Sequence, residues 1–129
     1  MTSNIATYML LAEQCVQDAR LLAANESYRS ACNRAYYGYF DAIRALLASR
    51  SIATKSHSSI RMFFGEHFVR NGPFTKSDAT AFHKLFLLRQ SSDYDPDESI
   101  SAEDALEAID QTAEFVLQVG IYLRASEAH

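Results

Sequence analysis

The amino-acid sequence predicts an all-α protein, a compact bundle of four to five mostly antiparallel helices. The chain has 129 residues, a length that fits one domain, so we expect a single helical domain over residues 1–129. It contains only four glycines and two prolines, too few for the many tight turns of a sheet protein. Apolar residues recur at spacings of three and four through most of the chain, which indicates amphipathic helices.

The first two predicted helices carry the clearest patterns. The second, from about Ser27 to Ser49, has an apolar face and a separate polar stripe. Gly38 lies beside that stripe, and a mid-helix glycine costs about 1 kcal/mol relative to alanine, which predicts close approach by another backbone or a ligand. The apolar residues of the first helix are Ile5, Met9, Ala12, Val16, Ala19 and Ala23; those of the second are Tyr36, Phe40, Ile43 and Leu47; and the polar stripe is Asn33, Tyr37, Asp41 and Arg44.

Three further helices follow, each with its own start or stop signal. Ser56 or Thr54 caps the third helix, which ends at an Asn-Gly pair before Pro73. Thr75 or Ser77 caps the fourth, and Pro96 forbids its continuation. Ser101 and Asp104 resemble a capping box before the fifth. The apolar residues are Ile60, Phe63, Phe64 and Phe68 in the third helix; Phe82, Leu85 and Phe86 in the fourth; and Leu106, Ile109, Ala113, Val116, Gly120 and Leu123 in the fifth.

Composition and charge exclude several classes of function. The net charge of −4 excludes a global basic field for nucleic acid, although a local basic groove stays open. The sequence has no run of about 20 apolar residues that would span a membrane and no signal peptide, so we expect no membrane partner. Cys15 and Cys32 lack CxxC spacing and are interpreted as reduced core thiols of a cytoplasmic protein.

Metal and cofactor signatures are missing from the sequence. None of the four histidines pairs with another histidine or a cysteine at ligand spacing, so we expect no metal site. Neither GxxxxGK[ST] nor GxGxxG occurs, and we expect no bound cofactor. His83 precedes Arg89 by six residues and is turned roughly 120° from it, so we expect no joint action of these two within one helix.

The stretch "LLRQSSDYDPD" places Arg89 on the continuation of the apolar stripe of the fourth helix. A guanidinium that faces a core or an interface needs an anion, because burying an unpaired charge is prohibitive. Asp93 follows one turn later, about 6 Å along the axis, so the two side chains can meet. Spacing leaves two interpretations open: a structural ion pair at a helix end, or an arginine positioned for a phosphate.

Three segments occur in this order: "NRAYYGYFDAIRALLASRSI", "KSHSSIRMFFGEHFVRNG" and "LRQSSDYD". An amphipathic helix follows them. Together they resemble the HEPN family over about residues 5 to 124. The resemblance is to its small single-domain bacterial branch. It implies a helical bundle, commonly a homodimer, that is frequently paired with a minimal nucleotidyltransferase as toxin and antitoxin. In active members, an arginine followed by four to six residues and a histidine forms a metal-independent ribonuclease site.

Carried over to this sequence, the resemblance assigns the arginine position to Arg89 and leaves the histidine position unfilled, because residues 93–96 are Asp, Tyr, Asp and Pro. An aspartate such as Asp93, with a reference pKa near 4, is a poor general acid at pH 7. His57 can substitute from another helix, or be a hydrogen-bonding turn residue. Tyr94 resembles the tyrosine that some paired systems adenylylate to silence the toxin; a packed helix-end ring is the alternative.

Three functions follow from these residues. The first is a HEPN module of a toxin–antitoxin or defence pair, in which Arg89, with Asn33, Arg34 and Tyr37, binds an RNA or nucleotide phosphate or a partner protein. The second is an active metal-independent ribonuclease that lacks the usual histidine, so whether the chain is an enzyme stays open. The third is an interaction bundle without a ligand.

Overall fold

Five α-helices make up the fold in a computed structural model, which describes the backbone of residues 3–94 and 100–127 and the side chains of residues 4–91 and 100–127. They are α1 (Ser3–Ala24), α2 (Tyr28–Ala48), α3 (His57–Phe64), α4 (Lys76–Tyr94) and α5 (Ala102–Glu127), and a π-helical segment, Gly65–Val69, continues α3. No strand occurs among the described residues. The all-α bundle expected from the sequence is confirmed.

Helix α2 lies at the centre of the bundle and packs against all four other helices. Its apolar stripe is buried as expected, with Ile43 and Leu47 at most 1% exposed. The ring of Tyr39 stacks on Phe115 of α5 with centroids 3.9 Å apart. Because fully burying one such large side chain contributes about 1.5–3 kcal/mol, α2 supplies much of the hydrophobic stabilisation.

Gly38 is the point of closest approach between three helices. A Cβ atom at this position would lie 2.9 Å from Cγ2 of Thr112 in α5 and 3.3 Å from Cβ of Cys15 in α1. The hydroxyl of Thr112 donates to the carbonyl of Ala35 at 3.0 Å, which fixes α5 against α2. Of the two predicted neighbours, another backbone or a ligand, the structure shows the backbone: the carbonyl oxygen of Ala12 in α1 lies 3.4 Å from the same Cβ position.

The helix boundaries follow the predicted capping residues. Ser56 accepts a hydrogen bond from the amide of Ser59 at 3.1 Å. Thr75 and Asp78 form a capping box, since each side chain accepts from the other residue's amide, at 3.2 and 2.9 Å. Ser101 and Asp104 do the same at the start of α5. Helix α2 is one residue shorter at each end than expected.

The buried face of α5 differs from the predicted one at its start. Leu106 is 54% exposed, whereas Ala105 and Thr112 are fully buried. Thr112 is buried where α5 approaches Gly38 of α2, and the hydrophobic spacing alone did not single out such small residues. Cys15 and Cys32 are buried and free, and burial raises the pKa of the Cys32 thiol to about 11. In the described part of the chain, no helix is long and apolar enough to cross a membrane.

Candidate functional site

Arg89 lies half-buried on α4, with its side chain against α2. Its Nε–H donates to Oδ1 of Asn33 at 2.9 Å. The guanidinium carbon lies 5.6 Å from the ring centroid of Tyr36 and 5.2 Å from that of Tyr37. Arg34 lies over the Tyr37 ring, at 5.4 Å. These five residues, Arg89, Asn33, Arg34, Tyr36 and Tyr37, are called the arginine cluster below.

The helical period of α2 explains why these side chains converge. Asn33 and Tyr37 are four residues apart and so lie on one face, one turn from each other. Tyr36 is rotated toward α4 and stacks on Phe82, with ring centroids 5.6 Å apart. Arg89 therefore meets an amide oxygen and two aromatic rings. The Asn33 oxygen orients the guanidinium but carries no charge, so this contact does not neutralise it.

A pair of histidines joins the arginine cluster through Tyr36. The Tyr36 hydroxyl lies 3.0 Å from Nδ1 of His57, and Nε2 of His57 lies 3.3 Å from Nδ1 of His83. His57 is the first residue of α3, and its ring stacks on Phe86 at 3.8 Å. The two histidines are called the histidine pair below. It connects α2, α3 and α4 through hydrogen bonds at one end of the arginine cluster.

The environment fixes the protonation states around Tyr36. Burial, with smaller effects from His83 and Arg61, lowers the pKa of His57 to about 4, so its ring is neutral at pH 7. Burial raises the pKa of the Tyr36 phenol well above its usual value, against the opposing effect of Arg89. With both groups neutral, the hydrogen-bond chain has two directions. In one, Nε2–H of His57 donates a hydrogen bond to Nδ1 of His83; in the other, Nδ1–H of His83 donates to Nε2 of His57.

The remainder of the polar stripe of α2 forms a separate cluster. Arg44 lies 3.7 Å from the carboxylate of Asp41 and donates to the hydroxyl of Tyr8 in α1 at 2.9 Å. Its guanidinium also lies over the Tyr8 ring, at 4.2 Å. Burial raises the pKa of Asp41 to about 6, while Arg44 and Arg34 act in the opposite direction. The stripe is thus divided between a contact with α1 and the arginine cluster.

The structure brings most of the sequence-predicted site residues together. Arg89, Asn33, Arg34 and Tyr37 share one cluster, and His57 joins it through Tyr36. The side chains of Asp93 and Tyr94 lie outside the described residues, and the expected contact of Asp93 with Arg89 stays a prediction. Within the described part of the chain, no three His, Cys, Asp or Glu residues are close enough to hold a metal ion.

Two participants were missed by sequence reasoning. His83 was considered only for metal-ligand spacing and for joint action with Arg89, and its contact with His57, 26 residues earlier in the chain, was not predicted. Spacing within one helix carries no signal for a pair formed across two helices. Tyr36 was assigned only to the apolar face, although its hydroxyl connects the two halves of the site. A tyrosine in an apolar stripe was the available signal, since a buried phenol needs a hydrogen-bond partner.

Comparison with protein families and curated sequences identifies similar proteins. A model of the HEPN domain matches residues 6–122. The UPF0332 protein glr0978 of Gloeobacter violaceus is 32% identical over 117 residues, which cover 90% of this chain and 93% of that protein. The Methanocaldococcus jannaschii protein named "Putative toxin MJ0605" is 33% identical over 78% of this chain and 75% of its own length. A UPF0332 protein of Thermotoga maritima is 35% identical over 64% of this chain and 63% of its own length.

Two solved structures share the fold. The crystal structure of TT1696 from Thermus thermophilus superposes with a TM-score of 0.76 at 15% identity, covering 92% of this chain and 98% of that one. ST0689, described as an archaeal HEPN homologue, gives a TM-score of 0.65 at 21% identity and covers 90% of this chain and 94% of its own. At these identities the likeness concerns the fold alone.

The depressed pKa of His57 predicts a pH dependence of stability. The folded-state pKa of about 4 lies below the reference value of 6.5, so the unfolded chain binds the proton first as the pH falls. We expect the free energy of unfolding to decrease between about pH 6.5 and pH 4, and His57→Gln to remove part of this decrease. Urea unfolding at several pH values measures the effect. His67→Gln is the matched control and should keep the wild-type dependence; equal curves for His57→Gln and wild type would contradict the prediction.

Proposed function

Because the chain belongs to the HEPN family, we propose that it is a toxin-like HEPN component that binds RNA or a nucleotide, with Arg89 holding a phosphate. The observation that carries this proposal is the hydrogen bond of Arg89 to Asn33, at 2.9 Å, beside two tyrosine rings. Two relatives from Methanocaldococcus jannaschii with the name "Putative toxin" support the toxin-like role. A cytoplasmic location is part of the proposal, since it is where reduced cysteines such as Cys15 and Cys32 persist.

The arrangement suits phosphate binding for a physical reason. A guanidinium is planar and presents its donors in a fork that matches two phosphate oxygens. Asn33 holds Nε, so part of the rotamer entropy of Arg89 is lost before a ligand arrives, which favours affinity. Arg34 and Arg89 both lie over the half-buried ring of Tyr37, so two guanidinium groups are close to the place where a phosphate would bind.

Replacement of Arg89 tests the binding proposal. A hydrogen bond to a charged group contributes about 1.5–3 kcal/mol, so Arg89→Ala should weaken the binding of a short single-stranded RNA by about 10- to 100-fold. Arg89→Lys, which keeps the charge but loses the fork, should fall between Arg89→Ala and wild type. Fluorescence anisotropy with a labelled oligonucleotide measures the dissociation constants.

Arg20→Ala, an exposed site on α1, is the matched control for lost positive charge, and circular dichroism checks the folding of each variant. Equal affinity of Arg89→Ala and wild type would overturn the proposal. If the wild-type chain bound neither RNA nor mononucleotides, the interaction bundle without a ligand would replace it.

The histidine pair favours RNA cleavage as a second candidate function. Metal-free cleavage needs a base that takes the proton of the 2′-hydroxyl, an acid that protonates the leaving 5′-oxygen, and a cation that stabilises the phosphorane. In this candidate mechanism, Nδ1–H of His83 donates to His57 at 3.3 Å, and Nε2 of His83 takes the proton of the 2′-hydroxyl and then gives it to the leaving 5′-oxygen. Arg89 stabilises the phosphorane. This candidate replaces the expectation that His83 and Arg89 do not act together, because His57 and Tyr36 connect His83 to the arginine cluster. Asp93 is the alternative proton carrier.

Cleavage of labelled RNA in the presence of EDTA tests this second candidate. We expect His83→Gln and Arg89→Ala to lower the rate by about 10²- to 10⁴-fold, the usual contribution of general acid–base catalysis. His57→Gln should lower it less, because His57 only orients His83, and His67→Gln should leave it unchanged. A His83→Gln variant that cleaved at the wild-type rate would contradict the assignment. An inactive wild type would exclude cleavage by the isolated chain and leave the binding proposal intact.

The proposed assembly is a homodimer that pairs with a minimal nucleotidyltransferase antitoxin, with Tyr94 as a candidate site of adenylylation. Support comes from the family and from large apolar side chains exposed on α1 and α5, among them Leu10, Leu21, Leu117 and Ile121. Light scattering of the purified chain should give twice its mass of 14.5 kDa. Leu117→Glu should lower that value if α5 lies in the interface, whereas Leu87→Glu on α4 is the control. A wild-type chain with the monomer mass at micromolar concentration would contradict the dimer.

A further inference from the structure

A long groove begins at the histidine pair and runs along α3. Helix α3, the π-helical segment and the first half of α4 enclose it, with a volume of about 1230 Å³. His57, His83 and Phe86 line one end, and Arg70 and Lys76 line the region where the chain enters α4. The volume of the groove exceeds the roughly 300–1,000 Å³ of typical small-molecule sites, which indicates an extended ligand.

The charge of the groove is opposite to that of the whole protein. Three cationic side chains line it, Arg61, Arg70 and Lys76, against one carboxylate, Glu66. The Arg, Lys and Glu side chains that line the groove sum to a charge of +2, whereas the formal net charge of the chain is −4. Such a local field concentrates a polyanion in the groove and repels it from the remaining surface.

The shape and the apolar lining suit a single nucleic-acid strand. Residues 57–69 rise about 18 Å at 1.5 Å per residue, the length of about five stacked nucleotides at 3.4 Å each. Met62, Val69 and Phe86 line the groove beside the cations. Alternation of apolar surfaces for bases with cations for phosphates is how proteins bind single strands with little sequence preference.

The π-helical segment opens the wall of the groove. The amide of Arg70 donates to the carbonyl of Gly65 at 2.9 Å, five residues back rather than four. The extra residue in this turn shifts Val69 and Arg70 by about 100° relative to a regular helix, since each residue advances the helix by that angle. At Gly65, no described residue outside the adjoining helix turns has a heavy atom within 4 Å of the position where a Cβ would be, so this part of the wall is open.

We propose that a single strand of RNA lies along this groove, with its phosphates on Arg61, Arg70 and Lys76 and its path leading to the histidine pair. The proposal rests on the RNA-binding function proposed above. It extends that function because it identifies where the strand lies on either side of the phosphate that Arg89 binds. The groove is continuous with the arginine cluster, because His57 and His83 line the groove and also join the cluster through Tyr36.

The salt dependence of RNA binding tests the groove directly. Each phosphate contact on a single strand contributes about 0.7 to the slope of log K against log salt. The double variant Arg61→Gln/Arg70→Gln should therefore lower the slope by about 1.4 and weaken binding of a ten-nucleotide RNA about tenfold at low salt. Arg20→Gln/Arg124→Gln, which removes the same charge from a different groove between α1 and α5, should bind like wild type.

Removal of the Glu66 carboxylate from the groove is expected to have the opposite effect on RNA affinity. Glu66→Gln should strengthen RNA binding a few-fold, because repulsion of the nearby phosphates disappears. Glu13→Gln, which lines the groove between α1 and α5, is the control and should leave the affinity unchanged.

The outcomes separate this inference from the function on which it rests. If the salt slopes of RNA binding were equal for Arg61→Gln/Arg70→Gln and its control, while Arg89→Ala still weakened binding, RNA binding in the groove would be contradicted. Phosphate binding by Arg89 would remain supported. No binding by the wild-type chain would overturn both. Displacement of the RNA from the groove by polyglutamate at equal charge concentration would show a site for acidic protein segments and would also overturn the inference.

Discussion

The bond between Arg89 and Asn33 is the interaction on which the candidate site depends. A half-buried guanidinium on α4 would be costly against an aromatic face without a partner, and Asn33 supplies one at 2.9 Å without cancelling the charge. The rings of Tyr36 and Tyr37 both contact the same cation. These contacts hold the guanidinium in one orientation, which is the property that phosphate binding requires.

Helix α2 makes this arrangement possible because it presents different surfaces to each neighbour. Its small residue Gly38 admits α1 and α5 at close range, which leaves the opposite surface to α3 and α4. The larger side chains there, above all Tyr36, contact Phe82 and Phe86 of α4 and His57 of α3. Helix α2 therefore supplies residues both to the core and to the site. A substitution of Tyr36 would disturb the packing of the core and the geometry of the site together.

The sequence determined the fold well because its information was local. Spacings of three and four predicted the buried faces of α1 and α2, and the capping residues Ser56, Thr75 and Ser101 predicted where three helices begin. The prediction for α5 was wrong at Leu106, which is exposed, whereas the smaller Ala105 and Thr112 are buried. Hydrophobicity patterns give little weight to such small residues.

The site was predictable only in part. The polar stripe of α2 and the resemblance to a family indicated Asn33, Tyr37 and Arg89, which the structure brings together. The pairing of His57 with His83 was not predictable, since it depends on how α3 and α4 are rotated about their own axes. That rotation is fixed by ring contacts such as His57 on Phe86, at 3.8 Å, between residues that are distant in sequence.

The side-chain NMR signal of Arg89 provides the most direct test of the central claim that this arginine is held in place to receive a phosphate. In the free chain, the Nε–H proton of Arg89 should exchange slowly with water, unlike that of the exposed Arg20, and should exchange fast in Asn33→Ala. Addition of a short RNA should shift the Arg89 signal and leave the Arg20 signal unchanged. Fast exchange in the free chain, or an Arg89 signal that saturating RNA does not move, would contradict the account.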